Sequence, residues 1–128
     1  MNDPLIAAAI HARGHAHAPF SKFRVGAAVE DEHGHIHTGC NIENATYGLT
    51  LCAERVAVFK AMSEGARRFR RVAVVADTDK LTPPCGACRQ ILWEFCGDVE
   101  IVLANLAGKT ETLQLRSLFP RAFDASFL

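Results

Sequence analysis

The chain has 128 residues, 49% hydrophobic and 22% charged, which suits one soluble domain spanning 1–128 with a single core. Its 14 lysines and arginines balance 14 acidic residues, so no overall field attracts a polyanion and nucleic acid is not an expected partner. No stretch approaches the roughly 18 apolar residues of a membrane span, and the N-terminus lacks the basic start and long apolar run of a secretory signal, so a cytoplasmic protein without membrane contact is expected.

In chain order, Asn2-Asp3-Pro4 ahead of Leu5–Ile10 reads as a helix start, with an acidic cap and a proline in the first turn; the helix is expected to end near Gly14. Arg24–Glu30 and His35–Cys40 are strand-like, and Asp31-Glu32-His33-Gly34 between them has hairpin-turn chemistry, which predicts two antiparallel strands. His33, His35 and His37 alternate along one strand face, yet read as an exposed polar hairpin rather than a second metal site. Cys52–Glu64 reads as a helix with apolar positions at Val56, Phe59 and Ala61–Met62, stopped by Gly65. Arg67, Arg68, Arg70 and Arg71 read as a solvated turn between that helix and the next strand. Val72–Ala76 and Val99–Leu103 are continuous apolar runs of the kind found in buried parallel strands, and Ala87–Phe95 between them has helical spacing. Thr110–Leu118 reads as a short final strand and a helical turn. This order predicts an α/β protein with a single sheet covered by helices on both faces.

Five cysteines is an odd number, and in a reducing compartment it favours metal binding or catalysis over a disulfide framework. Cys52-Ala53-Glu54-Arg55 and Pro84-Cys85-Gly86-Ala87-Cys88 together supply three thiols and one carboxylate. Three thiolates leave the fourth tetrahedral position of Zn²⁺ to a water, and a nearby carboxylate that is not a ligand can move protons between that water and a substrate. No further Cys or His lies inside either segment to close the site. Cys85 and Cys88, three positions apart, can reach one ion from the first turn of a helix. If Cys52 also opens a helix, all three thiols sit near positive dipole ends, where the thiolate is favoured. Glu54, two residues from a ligand, is the candidate proton shuttle. Three thiolates on Zn²⁺ leave a net negative charge, and Arg55 and Gln90 are candidates to offset it by hydrogen bonds to the sulfurs. A reduced cysteine pair near a turn or a closed zinc knuckle is the alternative that the spacing leaves open. Cys40 and Cys96 read as buried thiols.

Ser21-Lys22-Phe23-Arg24-Val25-Gly26-Ala27-Ala28, Gly39-Cys40-Asn41-Ile42-Glu43-Asn44-Ala45 and the two cysteine segments, the second continuing into Arg89-Gln90, resemble in order the successive signatures of the small, zinc-dependent cytidine deaminases. Leu118-Phe119-Pro120-Arg121-Ala122-Phe123 resembles that family's C-terminal motif. The resemblance implies a three-layer α/β/α fold with a five-stranded mixed sheet. It implies one Zn²⁺ per subunit on Cys52, Cys85 and Cys88, and hydrolytic deamination of cytidine and deoxycytidine to uridine and deoxyuridine in pyrimidine salvage. By the same resemblance Glu54 protonates ring N3 and serves the departing amine, the backbone N–H of Ala53 holds O2, Phe23 lies beside the base, and Asn41 and Glu43 bind the ribose hydroxyls. Such a diol grip would select nucleosides over free bases. Taken alone, Phe23 reads as core, Asn41 as a turn residue and Glu43 as exposed; only their place in the motif assigns them to substrate. A homotetramer is also implied, with Tyr47 and Phe123 reaching a neighbour's nucleoside.

Two residues depart from the pattern. Pro83 stands where Ser is usual, at a backbone carbonyl that the resemblance assigns to the leaving amine. Proline keeps that carbonyl, removes an N–H and stiffens the loop, which keeps open a deaminase of modified cytidines or of a cytosine-bearing antibiotic. Phe20 occupies a position where Tyr is frequent. From a different class, a structural zinc or nucleic-acid-binding module would have a closed metal site and be indifferent to Glu54.

Overall fold

The computed structural model describes residues 3–128, so the Asn2 part of the first helix start lies outside the described residues. Asp3 caps α1 (Pro4–Arg13): its side chain accepts the Leu5 N–H at 2.9 Å, Pro4 opens the helix, and Gly14 follows the last turn. The hairpin forms from β1 (Val25–Asp31) and β2 (Ile36–Cys40), antiparallel with Ala28 opposite Thr38. A 3₁₀ turn at Tyr47–Leu49 leads to α2 (Ala53–Ser63), followed by β3 (Phe69–Ala76), α3 (Gly86–Cys96), β4 (Glu100–Ala104), β5 (Thr110–Gln114) and the single-turn α4 (Leu115–Leu118).

The sheet order is β2-β1-β3-β4-β5, and only β3 and β4 run parallel. The apolar run of β3 therefore has one parallel and one antiparallel neighbour, and it is continuous because both faces of the sheet are covered. On one face Ala28, Ala73, Val75 and Val102 pack against Leu5, Ile6 and Ala9 of α1. On the other, Val29, Val72, Val74 and Ile101 meet Ala57 and Val58 of α2 and Leu92 of α3. Three layers, helix, mixed sheet and helices, are the result.

Two glycines set how closely the helices approach. A Cβ on Gly26 would lie 2.0 Å from the Ala9 carbonyl oxygen of α1, and one on Gly39 would lie 2.5 Å from both Ala53 O and Ala57 N of α2. The same contact corrects the expected face of α2 at Val56 and Phe59, whereas Ala61 and Met62 meet the core as expected. Ala53, Ala57, Val58 and Ala61 point to the sheet, all 0% exposed, whereas Phe59 is 40% exposed and Val56 half-buried. Small side chains are what a helix resting on Gly39 permits. Phe59 moves to the α2–α3 seam, edge-on to Phe95 with ring centroids 6.1 Å apart.

The arginine run is not a solvated turn throughout, because β3 begins at Phe69. Arg71 donates to Asp3 at 2.7 Å and to Glu30 at 3.0 Å, fastening the α1 cap to the sheet, and Arg67 donates to Met62 O at 2.7 Å at the end of α2. The histidines divide as well. His33 and His35 are exposed, but His37 Nε2 lies 3.0 Å from Asp31 and its Nδ1 3.2 Å from Glu64, joining the hairpin to the end of α2. That contact with His37, helped by the His35 and His33 N–H groups, holds the Asp31 carboxyl down at about 2. Among the described residues, no helix is long and apolar enough to cross a membrane.

Candidate active site

Both helices that carry the cysteine motifs start at one site. Cys52 is the N-cap of α2 and Cys85 the N-cap of α3, each in extended backbone, and Cys88 follows in the first turn of α3. The three sulfurs lie within 4.8 Å of one another, with Cys52 and Cys85 3.9 Å apart. Tetrahedral Zn–S bonds of about 2.3 Å require sulfurs roughly 3.8 Å apart, so the cluster fits that ion with little adjustment. Among the described residues no fourth His, Cys, Asp or Glu joins the group. Cys40 and Cys96 stand apart from it, half-buried; burial raises both thiols, Cys96 to about 12.

The thiols differ electrostatically: the hydrogen bond with Cys52, burial and the neighbouring Glu54 push the Cys88 thiol up. The Cys52 thiol is brought down to about 5, first by its hydrogen bond with Cys88 and then by Arg55, while burial opposes. Arg55 Nη2 donates to Cys52 Sγ at 3.2 Å. Its Nε is buried with no hydrogen-bond partner among the described residues, so the Cys52 thiolate is the main compensation for its charge. Gln90 does not join it. Its Nε2 donates to the Phe123 carbonyl at 2.9 Å, because one turn into α3 its side chain meets the C-terminal segment rather than the sulfurs.

Glu54, in the first turn of α2, is 5% exposed, and burial followed by the Cys52 thiolate raises its carboxyl to about 7. It lines a cavity of about 200 Å³ together with Phe23, Asn41, Ala53, Pro83, Cys52 and Cys85. An outer recess of about 390 Å³ shares Thr50 with that cavity and is lined by Phe20, Ser21, Glu43 and Tyr47. Ligand sites usually occupy about 300–1,000 Å³, so the two spaces together, rather than the inner one alone, have the capacity for a base with its sugar. Phe123 lines neither.

The two sugar-binding candidates also have structural partners. Asn41 Oδ1 accepts the Val25 N–H at 2.9 Å and its Nδ2 donates to Phe23 O at 2.7 Å, which anchors the start of β1. Glu43 accepts the N–H groups of Phe20 and Ser21 at 3.0 and 3.1 Å, and the Ser21 hydroxyl as well. Each keeps hydrogen-bonding capacity beyond these contacts. Arg89 was not singled out from the sequence. Its Nε donates to Pro84 O at 2.8 Å and its Nη1 to Leu118 O at 2.7 Å, so it braces the loop that delivers Cys85. The available signal was its place beside a ligand, after two prolines whose carbonyls have no neighbouring proline N–H to meet.

Residues 2–105 match the family model described as the cytidine and deoxycytidylate deaminase zinc-binding region. The cytidine deaminase of Sporosarcina psychrophila is 52% identical over 123 residues, covering 95% of this chain and 90% of that protein. That of Halalkalibacterium halodurans is 52% identical over 122 residues, covering 94% and 92%. The crystal structure of the cytidine deaminase from Burkholderia pseudomallei superposes with a TM-score of 0.92 at 44% identity, covering 96% of this chain and 99% of that one.

Proposed function

The chain belongs to the zinc-dependent cytidine and deoxycytidylate deaminase family, and from that premise we propose that it hydrolyses the 4-amino group of cytidine and deoxycytidine, yielding uridine or deoxyuridine and ammonia. Its cofactor is Zn²⁺, for which Cys52, Cys85 and Cys88 form the fitting cluster. Bound there, the ion supplies a water acidified enough to be a nucleophile at neutral pH. Glu54 would take the proton that the attacking water gives up, deliver it to ring N3 and then serve the amine as its bond to C4 breaks; burial, the main cause raising this carboxyl, favours its holding that proton. The Ala53 N–H, one of the first-turn donors of α2 without a helical partner, binds O2. Phe23 packs on the base, Pro83 offers its carbonyl to the leaving amine, and Asn41 and Glu43 use their remaining capacity on the sugar hydroxyls.

The observation that carries this reading is a carboxylate 5% exposed, beside a three-sulfur cluster with no fourth protein ligand among the described residues, facing a shared cavity. Relatives at 52% identity are cytidine deaminases, which favours the plain nucleoside over a modified cytidine or a cytosine-bearing antibiotic. A structural zinc or nucleic-acid-binding module is disfavoured by the open coordination set and zero net charge. The test is the ultraviolet loss of cytidine, deoxycytidine and N4-substituted cytidines, with and without a chelator. Turnover of the first two, abolished by chelation, is expected; turnover of a modified analogue with plain cytidine untouched would overturn the assignment.

We further propose a single catalytic domain over 1–128, acting in cytoplasmic pyrimidine salvage as a homotetramer. Tyr47 at 75% and Phe123 at 56% exposure are large apolar surfaces that a neighbour would cover while they complete its site. A solution mass of four times 13.9 kDa is the expected result.

A further inference from the structure

α3 carries polar contacts that the proposed chemistry does not use. The last ten residues, 119–128, add no strand to the sheet, and Phe119, partly buried, is their side chain packed against the core. Beyond Phe119, a set of side chains on α3 joins them to the body. Arg89 Nη1 donates to Leu118 O at 2.7 Å at the end of α4, just ahead of the segment, and within it Gln90 Nε2 donates to Phe123 O at 2.9 Å and Trp93 Nε1 to Asp124 Oδ2 at 3.0 Å. Trp93 also meets Phe119 edge-on, ring centroids 6.5 Å apart. The other oxygen of Asp124 accepts the Ser126 N–H at 2.9 Å, shaping the turn that stacks Phe127 on Phe123 with centroids 5.6 Å apart. Phe123 is more than half exposed, so burial within the chain does not fix it. Its placement depends on hydrogen bonds to its own carbonyl and to the next side chain.

We propose that Trp93 and Asp124 are positioning residues: their indole–carboxylate bond latches the C-terminal segment to α3 and thereby holds Phe123 where it completes a nucleoside site. The proposal rests on the reading that Phe123 reaches a bound nucleoside. Without the latch the segment samples detached conformations, and substrate binding must select the attached one. Apparent affinity then falls by the fraction attached, while steps after binding are unchanged. A hydrogen bond to a charged acceptor changes the attached-to-detached ratio by a factor of roughly ten or more, and KM rises by at most that factor, in full only where the detached form dominates. The same helix opens with Cys85 and Cys88, so the latch refers Phe123 to the element that places the metal ligands.

The test compares Trp93→Phe, Asp124→Ala, Asp124→Asn and Phe123→Ala in the zinc-loaded protein. Trp93→Phe removes the indole donor and leaves the Asp124–Ser126 turn; Asp124→Asn has one acceptor oxygen where the carboxylate has two, so it keeps either the Trp93 bond or the Ser126 bond. Trp93→Phe and Asp124→Ala are expected to raise KM for cytidine roughly two- to tenfold, with kcat, zinc content and solution mass unchanged, and Asp124→Asn to give a KM between those of Asp124→Ala and the unsubstituted protein. Trp93 is the only tryptophan, so Asp124→Ala should also shift the intrinsic emission, and saturating uridine should move it back. Unaltered KM in both latch variants, or a fall in zinc content with the rise in KM, would overturn the latch. If Phe123→Ala alone raises KM, the latch is wrong and the reading of Phe123 stands. If Phe123→Ala leaves KM unaltered, that reading fails and the latch falls with it. Should Trp93→Phe not fold, Asp124→Ala, a change at a partly exposed position, decides by KM and emission.

Discussion

Glu54 owes its proposed role to where its side chain ends rather than to its place in a motif. Replacing it with Gln keeps the size while removing the titrating group from a position only 5% exposed. The expected outcome is a protein with full zinc content and an unchanged melting temperature but kcat lower by roughly 10² to 10⁴; a full-rate Glu54→Gln enzyme would show that the proton moves by another route. The neighbouring assignments show what spacing can and cannot reveal. Cys52, Cys85 and Cys88 were legible because N-cap positions and a three-residue interval dictate where sulfurs point. Asn41, Glu43 and Gln90 were legible only as members of a motif. Their partners are the backbone of Val25, Phe23, Ser21 and Phe123, atoms brought near by the fold and invisible in the local sequence.

At the scale of elements, Gly39 is where the hairpin and the metal-bearing helix touch. An added Cβ would meet two backbone atoms of α2 at 2.5 Å, neither of which can swing aside, so Gly39→Ala must displace the helix that Cys52 caps. Overpacking of this kind costs about 1–3 kcal/mol; a lower melting temperature together with weaker zinc retention is expected, whereas Gly48→Ala, with no atom within 4 Å, should change neither. Helix ends, strands and the hairpin turn could be read in advance because caps, prolines, glycines and apolar runs act locally. The buried face of α2 could not, since its alanines answer to a glycine on another element. His37 is a second case: its two carboxylate partners come from β1 and the residue capping α2. The Asp31 carboxyl titrates at about 2 in the folded protein against an ordinary 3.8. The native state thus binds fewer protons than the unfolded chain between those values, and the stabilisation is complete above 3.8 and lost as pH falls toward 2. Asp31→Asn should lower the melting temperature at neutral pH, with the difference from the unsubstituted protein shrinking below pH 3.8; a constant difference would remove the carboxylate from the explanation.

For the whole molecule, the arrangement separates what folds the chain from what the metal does. The core lies between α1 and the sheet on one side and between the sheet, α2 and α3 on the other. It is built from aliphatic side chains, and among the ligands only Cys88 is buried. Both metal-bearing helices are amply packed without an ion: Ala57, Val58 and Ala61 hold α2, and Leu92 holds α3. Zinc should therefore stabilise this protein by binding to an existing fold, in contrast to small zinc modules that are unfolded without metal. Binding linked to the native state contributes about 4 kcal/mol when the free ion exceeds its Kd a thousandfold. A chelator should accordingly abolish deamination, lower the melting temperature, and leave the far-ultraviolet circular dichroism at 25 °C intact, with all three reversed by added Zn²⁺. Collapse of the dichroism on chelation would mean that the sulfurs organise the fold itself. The site would then be a structural one, and the vacant coordination position on which the proposed chemistry depends would lose its meaning.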